Sequence, residues 1–286
     1  MLKQRVITAL ILLAILLPAL FYPSPVPFAI VVLVLMTAGA WEWARLNGYG
    51  MWPSLAAGGV CVALCAMAWW LGWLQQPLAG LWLAVGVWWV LGSAAMLYAG
   101  VSGWPRIPAA LRLLGGLLVL WMAWLAAVQA RMVGINFLLS ALALVWAADI
   151  AAYFAGRAFG LRFTQNRLAP SISPGKSWEG VWGGGVGVLV LALVWVAADA
   201  ALQAPVASLF THLTSHGGWW LLPTVLFMVA MSVVGDLVES LVKRAAGAKD
   251  SSALLPGHGG VLDRVDALLP TLPLAMMFFS LVHTNS

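Results

Sequence analysis

Residues 78–99 of the chain read LAGLWLAVGVWWVLGSAAMLYA, an apolar stretch without a charged side chain. A helix of about 20 apolar residues is long enough to cross the roughly 30 Å of hydrocarbon in a bilayer. The stretch lacks the alternating pattern that a strand of a membrane β-barrel requires. It therefore predicts a transmembrane helix, and with it a helical membrane protein.

Eight further apolar runs of similar length lie on either side of this stretch. Their approximate bounds are 6–22, 26–46, 55–74, 111–133, 136–156, 181–200, 219–242 and 267–284. Only 8% of the 286 residues are charged, whereas about 25% is typical of soluble domains. We expect an all-α polytopic membrane protein with about nine transmembrane helices, folded as a single integral membrane domain over residues 1–286. Its N-terminal spans would occupy residues 1–135, and residues 136–286 would carry the active site.

The basic residues predict how this bundle is oriented. With nine spans and a cytoplasmic N-terminus, thirteen of the 14 Lys and Arg residues fall on the cytoplasmic side, and only Arg131 falls outside. Cytoplasmic loops of membrane proteins carry such an excess of basic residues, so we expect this orientation in the cell (inner) membrane. The net charge of +5 reflects this topology and an attraction to anionic lipid or nucleotide. We expect no nucleic-acid partner, because no basic soluble domain exists to bind one.

The acidic residues are concentrated in one part of the chain. Five of the nine lie between Asp236 and Asp266. An ionisable group at the centre of a membrane helix costs roughly 2.5–3.5 kcal/mol on insertion scales, so such groups are candidates for function. The stretch from Ser240 to Asp266, here called the motif segment, reads SLVKRAAGAKDSSALLPGHGGVLDRVD.

Several of these acids could bind a metal ion together. Carboxylates brought to one site repel one another unless a cation lies between them, and Mg²⁺ prefers oxygen ligands. The alternative for each single Asp is an ion pair with a neighbouring Lys or Arg. The candidate metal ligands, with the two leading ones first, are Asp236, Asp263, Asp266 and Asp149.

The basic side chains of the motif segment complement these acids. They could neutralise a polyphosphate and stabilise the charge on a departing pyrophosphate. On one helix, Asp236, Glu239 and Lys243 would share a face. His258 precedes the flexible Gly259-Gly260 turn; it could bind phosphate or assist proton transfer, and a purely structural role is the alternative. The basic candidates are Lys243, Arg244, Lys249 and Arg264.

A second polar segment, residues 173–180, reads SPGKSWEG. It is not a phosphate-binding P-loop, because Pro170 stands where that motif needs its first glycine. Its Pro-Gly turn presents Lys176 and hydroxyl groups at a helix start, with Glu179 placed to support the cap, and such a start suits an anionic phosphate. An ordinary helix-start loop is the alternative. Since both segments would lie on the cytoplasmic face, we expect this 173–180 loop and the motif segment to form one site.

Glu42 is the only acid in the first 135 residues. It lies three positions before Arg45, near the end of the second apolar run, and this spacing allows a local ion pair on a helix. We expect that pair to account for Glu42.

The motif segment resembles the signature of the phosphatidate cytidylyltransferase (CDP-diacylglycerol synthase) family. That signature is S-x-x-K-R-x4-K-D, a short spacer, and H-G-G-x-x-D-R-x-D, and every fixed position is occupied here. The 173–180 loop and the block that runs from Asp149 through Ala152, Tyr153, Gly156 and Arg157 to Gly160 are similar to two other blocks of the family. The N-terminal spans match only in being polytopic and apolar.

This resemblance implies a reaction. CTP and phosphatidic acid would give CDP-diacylglycerol and pyrophosphate in phospholipid biosynthesis, with Mg²⁺ as the divalent cofactor, and a homodimer would be possible. Soluble CTP and the lipid would meet at the cytoplasmic membrane face. The implied catalytic residues are Asp236, Lys243, Arg244, Lys249, His258, Asp263, Arg264 and Asp266. The implied substrate-binding residues are Asp149, Tyr153, Ser173, Lys176, Ser177, Glu179, Gly259 and Gly260.

Two other classes of function compete with this interpretation. A transporter would place its polar residues near the middle of the bilayer, whereas these cluster at one face. A CTP-dependent polyprenol or phytol kinase would transfer the γ-phosphoryl group of CTP. Labelled CTP would distinguish it from a cytidylyltransferase, because a label at the α-phosphorus enters lipid only in the transferase. A third possibility, a CDP-alcohol phosphotransferase, lacks support because its D-G-x-x-A-R motif is absent.

Overall fold

The computed structural model describes residues 2–215 and 217–284, and within them the regular elements are helices only. This part of the chain holds nine helices that are long and apolar enough to cross a membrane, which confirms the predicted fold class. The helices are α1 Leu2–Phe21, α2 Val26–Leu46, α3 Met51–Trp70, α4 Ala79–Gly103, α5 Ala109–Val133, α6 Ile135–Phe159, α7 Trp178–Ala201, α8 Leu209–Ser215, α9 Leu221–Ala245, α10 Leu262–Val265 and α11 Leu268–Thr284.

Helix α3 begins and ends four residues before the predicted span of 55–74. The early end is explained by Gly72, whose φ of 72° is a left-handed conformation that ends a helix readily. The backbone N–H of Trp73 then bonds back to the carbonyl of Ala68 at 3.0 Å, which closes the helix end. Local turn chemistry at one glycine therefore overrides an apolar pattern that continues to Leu74.

The two ends of the bundle are distinguished by their contacts. At one end the guanidinium of Arg131, near the end of α5, donates to the carbonyl oxygens of Leu20 (2.8 Å) and Tyr22 (2.7 Å). At the opposite end the indole N–H of Trp43 donates to the carbonyl of Arg112, near the start of α5, at 2.9 Å. We call the Trp43–Arg112 end the motif end. The alternation of ends along the chain agrees with successive spans that cross the bundle.

Helices α6 and α7 pack closely because small residues face each other. A Cβ atom on Gly187 would lie 2.5 Å from the Cβ of Ala151, and one on Gly183 would overlap Ala155. Small residues at such an interface let two membrane helices approach backbone to backbone. This packing fixes the motif-end part of α6 against the start of α7, where the 173–180 loop ends.

A second close approach brings α9 to the start of α11. A Cβ atom on Gly235 would lie 2.6 Å from the carbonyl oxygen of Asp266 and 2.8 Å from Cγ of Pro270. Only glycine fits there, so the residue before Asp236 lets two predicted acidic positions come together.

Candidate active site

A cavity of about 450 Å³ opens at the motif end between α6, the start of α7 and α9. Its walls combine apolar helix faces with most of the polar residues predicted for α6 and the 173–180 loop. Arg157 also donates to the hydroxyl of Tyr153 at 3.1 Å, so these two side chains stand together at its lining. The polar and charged lining residues are Asp149, Tyr153, Arg157, Lys176, Ser177 and Asp236.

An ion pair across this cavity joins the 173–180 loop to α9, just before the motif segment. The ammonium of Lys176 lies 2.5 Å from Oδ2 of Asp236, with the two side chains 25% and 31% exposed. Ser240 supports the carboxylate by donating to Oδ1 at 3.2 Å. Nearby, Nε of Arg244 in the motif segment donates to the carbonyl of Ile172, the residue before the 173–180 loop, at 3.3 Å. The 173–180 loop is thus joined to α9 four residues before the motif segment begins, and its part in one site with that segment stays a prediction.

Lys243 lies between two buried carboxylates. Its ammonium is 2.5 Å from Oε2 of Glu239 and 2.6 Å from Oδ1 of Asp263. A buried carboxylate is costly without a partner, and one cation shared by two acids lowers that cost. The residues predicted to share one face of α9 therefore have different partners. Glu239 pairs with Lys243 on the same helix, whereas Asp236 pairs with Lys176 of the 173–180 loop.

Asp263 also organises the loop before it. Its Oδ2 accepts hydrogen bonds from the backbone N–H of Ser251 (2.8 Å), the hydroxyl of Ser251 (2.9 Å) and the backbone N–H of Gly260 (2.8 Å). With Lys243 on Oδ1, both oxygens are engaged. Oδ1 accepts from Lys243 alone, so a metal ion there would compete with that ammonium, and the role of Asp263 as a ligand stays a prediction.

Glu42 holds the same loop from the N-terminal half. It is fully buried, and the expected pair with Arg45 is wrong: no ion pair of Glu42 is found among the described residues. The carboxylate instead faces the motif segment, while Arg45 lines a separate cavity. Four donors reach it: the backbone N–H groups of Val261 (2.9 Å) and Leu262 (2.8 Å) and the hydroxyls of Ser251 (3.1 Å) and Ser252 (2.6 Å).

The sequence contained a signal for this role of Glu42. An acid inside a membrane span is a functional candidate by default, and Glu42 is the only one in the first half of the chain. The nearby Arg45 offered a simpler explanation, which the structure rejects.

The two glycines of the His-Gly-Gly turn have different structural reasons. Gly259 has a φ of 83°, a conformation that favours glycine. A side chain at Gly260 would overlap the hydroxyl of Ser251 and the carboxylate of Glu42. The sequence predicted that other groups could come close to the backbone of this turn. The groups that do so at Gly260 are the side chains of Ser251 and Glu42. A substrate contact of either glycine stays a prediction.

His258 and Arg264 flank that turn. Arg264 donates from Nε and a terminal nitrogen to the carbonyl of His258, at 3.0 and 2.6 Å. Nδ1 of His258 is buried and has no hydrogen-bond partner among the described residues. The contact keeps the exposed guanidinium of Arg264 beside the turn, where it is accessible to a ligand.

Within the 173–180 loop, only Lys176 makes an ion pair. Ser177 caps α7 by accepting from the backbone N–H of Gly180 at 3.2 Å. Glu179 does not support that cap; its Oε1 accepts from the backbone N–H (2.8 Å) and hydroxyl (2.9 Å) of Thr164. Ser177 and Glu179 therefore hold the loop in place, and Lys176 extends from it to Asp236.

Two predicted residues lie outside these networks. Ser173 belongs to a turn in which its N–H bonds to the carbonyl of Ala169 at 2.8 Å. Lys249 is exposed and is not among the described residues that line the cavity. Their predicted roles in binding and catalysis remain predictions.

The carboxylates fit a magnesium ion that is shared with a substrate. Asp149 lines the same cavity as Asp236 and Lys176, and the carbonyl of Asp266 lies against Gly235, the residue before Asp236. Among the described residues, no three His, Cys, Asp or Glu side chains form a cluster that could hold a metal alone. Mg²⁺ usually takes one or two carboxylates and completes its shell with water and phosphate. Asp236 and Asp149, two carboxylates on one cavity, are compatible with that mode.

The chain is similar to known proteins over most of its length. Residues 3–282 match the model of the cytidylyltransferase family. A phosphatidate cytidylyltransferase of Pseudomonas aeruginosa is 41% identical over 281 residues, covering 96% of this chain and 95% of that protein. A phosphatidate cytidylyltransferase of Haemophilus influenzae is 37% identical over 319 residues, covering 99% of this chain and 100% of that protein.

Proposed function

We infer that this chain, which belongs to the cytidylyltransferase family, transfers the cytidylyl group of CTP to phosphatidic acid. The products are CDP-diacylglycerol and pyrophosphate. One observation carries the assignment of the site: Lys176 and Asp236 pair inside the 450 Å³ cavity, beside the motif segment. That arrangement supplies a cation and a carboxylate where a nucleotide triphosphate needs both.

The reaction joins two anions, so the site must first offset their repulsion. A phosphate oxygen of phosphatidic acid attacks the α-phosphorus of CTP, and the bond from that phosphorus to the bridging oxygen breaks. Pyrophosphate leaves with the electron pair. Lys176 and Arg157 line the cavity and suit the triphosphate, and Lys176 can exchange Asp236 for a phosphate oxygen. Positioned charge of this kind is the main source of catalysis in phosphoryl transfer.

Lys243 has a different part in this scheme. Its ammonium is held by short ion pairs to Glu239 and Asp263. It therefore orients the start of α10 and the loop that carries His258, rather than moving freely to substrate. The exposed guanidinium of Arg264, fixed by the carbonyl of His258, is suited to the departing pyrophosphate.

A magnesium ion is part of the proposal. Asp236 would hold it, with Asp149 and Asp266 as further ligands, and the ion would neutralise phosphate charge during the transfer. The support is that Asp149 and Asp236 line one cavity, where Asp236 pairs with Lys176. Asp263 is the less favoured ligand because its oxygens already accept four hydrogen bonds.

We also propose that the protein lies in the cell (inner) membrane with this cavity facing the cytoplasm. The support is the excess of basic residues at the motif end, together with the need for soluble CTP to reach the site. The integral membrane domain over residues 1–286 and a homodimer remain predictions.

Labelled CTP tests the function. Purified protein in mixed micelles would receive phosphatidic acid and CTP labelled at either the α- or the γ-phosphorus. We expect the α label to enter the lipid fraction and the γ label to appear in pyrophosphate. Entry of the γ label into lipid would identify a kinase instead. If neither labelled form of CTP gave labelled lipid, the assignment would be rejected.

A further inference from the structure

Helix α1 is the least buried of the nine spans in the described part of the chain. Within its apolar stretch 11% of the residues are buried, against 22–61% in the other eight spans. Its described buried side chains fall at two places, Thr8 near its start and Ala19 and Leu20 near its end. Both places also carry a polar contact to a distant part of the chain, so α1 is fastened at its two ends.

The end of α1 is held by Arg131 of α5. The guanidinium donates to the carbonyl oxygens of Leu20 and Tyr22, and Arg131 makes no ion pair in the described part of the chain. The last carbonyls of a helix have no partner within it, so a cation that donates to them satisfies them and complements the helix dipole. Arg131 is also the one basic residue that the predicted orientation places on the outer side.

The start of α1 contacts the motif segment. The hydroxyl of Thr8 donates to the carbonyl of Pro256 at 3.0 Å, across 248 positions of the chain. The backbones are close as well, because a Cβ atom on Gly257 would lie 2.9 Å from Cγ of Arg5 and 3.3 Å from its backbone nitrogen. The first span is therefore joined directly to the residues before His258.

Residues 255–258, here called the 255–258 turn, have the features of a type II turn. The N–H of His258 donates to the carbonyl of Leu255 at 2.8 Å, and Gly257 has a φ of 77°. Type II turns favour proline followed by glycine at their two central positions, as found here. The turn's own hydrogen bond uses the carbonyl of Leu255, so the carbonyl of Pro256 is left for a donor from another element. The α1 hydroxyl is that donor.

The 255–258 turn determines where two candidate site residues lie. It ends at His258, whose carbonyl accepts both hydrogen bonds from Arg264. Glu42 holds the loop on either side of the turn, but none of its four donors belongs to residues 255–258. Thr8 and Arg5 of α1 therefore contact a part of the loop that Glu42 does not reach.

We propose that α1 is a positioning helix for the motif segment. Thr8 fixes the 255–258 turn, and Arg131 fixes the far end of α1 so that Thr8 stays in place. Because α1 buries few side chains, these two polar contacts are a large part of what holds it. Neither residue would touch a substrate; both would act through His258 and Arg264. The inference rests on the proposed function for its kinetic test, since Arg264 is assigned there to the departing pyrophosphate.

Hydrogen–deuterium exchange tests the positioning without requiring activity. Thr8→Val keeps the shape of the side chain and removes its donor, whereas Thr8→Ser keeps the donor. We expect amide exchange in residues 251–260 of Thr8→Val to rise about three- to tenfold, the range for loss of one hydrogen bond, and exchange outside α1 and this segment to stay within about twofold. Thr8→Ser should exchange as wild type.

The matched control removes the same hydroxyl from another span. Thr37 of α2 donates to the carbonyl of Leu33 in its own helix at 2.8 Å, so its bond does not reach the motif segment. We expect Thr37→Val to leave exchange in residues 251–260 and the kinetics as in wild type.

Steady-state kinetics test the link to the reaction. We expect Thr8→Val to lower kcat about three- to tenfold, with the KM for CTP within about twofold of the wild-type value. The two constants separate because Lys176 and Arg157 line the cavity proposed for CTP, whereas the turn holds Arg264, which is assigned to the leaving group. Thr8→Ser should recover at least about half of the wild-type kcat, since it restores the hydrogen bond.

A second variant releases the opposite end of α1. Arg131→Met removes the guanidinium and keeps an unbranched side chain, at the end of the bundle away from the candidate active site. We expect the same direction of change as in Thr8→Val, in exchange of residues 251–260 and in kcat. This variant also decides the question if Thr8→Val does not fold. Unchanged exchange in residues 251–260 of Arg131→Met would overturn the part given to Arg131.

The outcomes separate this inference from the proposed function. Unchanged exchange in residues 251–260 of Thr8→Val, or a rise of equal size throughout the chain, would overturn the inference. A local rise without any loss of kcat would also overturn it, because the turn would then be held without effect on turnover. If wild-type protein forms no CDP-diacylglycerol, the proposed function fails, and the exchange experiment still decides whether α1 positions the turn.

Discussion

The carboxylate of Glu42 accepts a hydrogen bond at 2.8 Å from the backbone N–H of Leu262, which lies 220 positions later in the chain. This contact makes the second membrane span part of the scaffold of the motif segment. Three further donors from the same segment converge on Glu42, so it fixes the loop in which His258 lies. The N-terminal spans thus shape the candidate active site as well as anchoring it.

The first prediction concerns Glu42. Glu42→Gln places an NH₂ group against backbone N–H donors, so at least one buried donor loses its acceptor, at a cost of about 1–3 kcal/mol. We expect a lower Tm and a loss of most turnover. The control is Arg45→Ala, which removes the cation expected from the sequence to pair with Glu42. A larger loss of Tm in the control than in Glu42→Gln would contradict this role.

The second prediction contrasts two aspartates of the site. Asp236 is about one-third exposed and Asp263 is nearly buried, so their asparagine variants should differ in stability. We expect both to abolish turnover while the protein still accumulates in the membrane. Asp263→Asn should also lower the free energy of unfolding by about 3 kcal/mol, because it breaks a buried pair, and Asp236→Asn by less than about 1 kcal/mol. Thermal unfolding of both purified variants checks this; equal stabilities would show that Asp263 is not a structural residue.

The third prediction concerns Gly260. Gly260→Ala adds a methyl group where the hydroxyl of Ser251 and the carboxylate of Glu42 already lie, so the loop must shift. We expect at least a tenfold loss of turnover, about 1.4 kcal/mol in the barrier. Gly59→Ala is the matched control, since no atom lies within 4 Å of its added Cβ. Normal activity in Gly260→Ala would mean that the loop tolerates movement and that its geometry is not critical.

The fourth prediction concerns orientation. Cys61 and Cys65 are buried, so a background in which both are alanine permits single-cysteine labelling. Gln165→Cys lies in the loop between α6 and α7, and Gln203→Cys follows α7 at the opposite end. We expect a membrane-impermeant maleimide to label Gln203→Cys in intact cells and Gln165→Cys only after permeabilisation. The reverse pattern would invert the topology.

The fold was accessible from the sequence because membrane spans are determined by composition over about 20 residues. All nine predicted spans correspond to helices, and the errors lie at their ends. At α3 the end depends on the conformation of Gly72, a single-residue effect that an apolar pattern does not contain. The contact of the 173–180 loop with α9 was predictable because that loop and the motif segment lie at the same end of the bundle.

The partners of individual side chains were less predictable. Spacing along a helix placed Glu239 and Lys243 on one face, and the two side chains do pair, since that contact is local. It failed for Glu42, whose donors lie more than 200 positions away, in a loop whose path the sequence does not specify. Likewise, nothing in the sequence indicated that Arg112 lies between two cavities, because each cavity is lined by several helices.

We propose above all that Lys176 of the 173–180 loop and Asp236 of α9 belong to one nucleotide site, beside the motif segment. The most direct measurement is the steady-state CTP kinetics of purified, folded Lys176→Ala, with Arg162→Ala in the same loop region as the matched control. We predict that Lys176→Ala raises the KM for CTP, lowers turnover, or both, by about tenfold or more in kcat/KM, while Arg162→Ala stays within twofold. Wild-type kinetics in Lys176→Ala would remove the 173–180 loop from the site and contradict the claim.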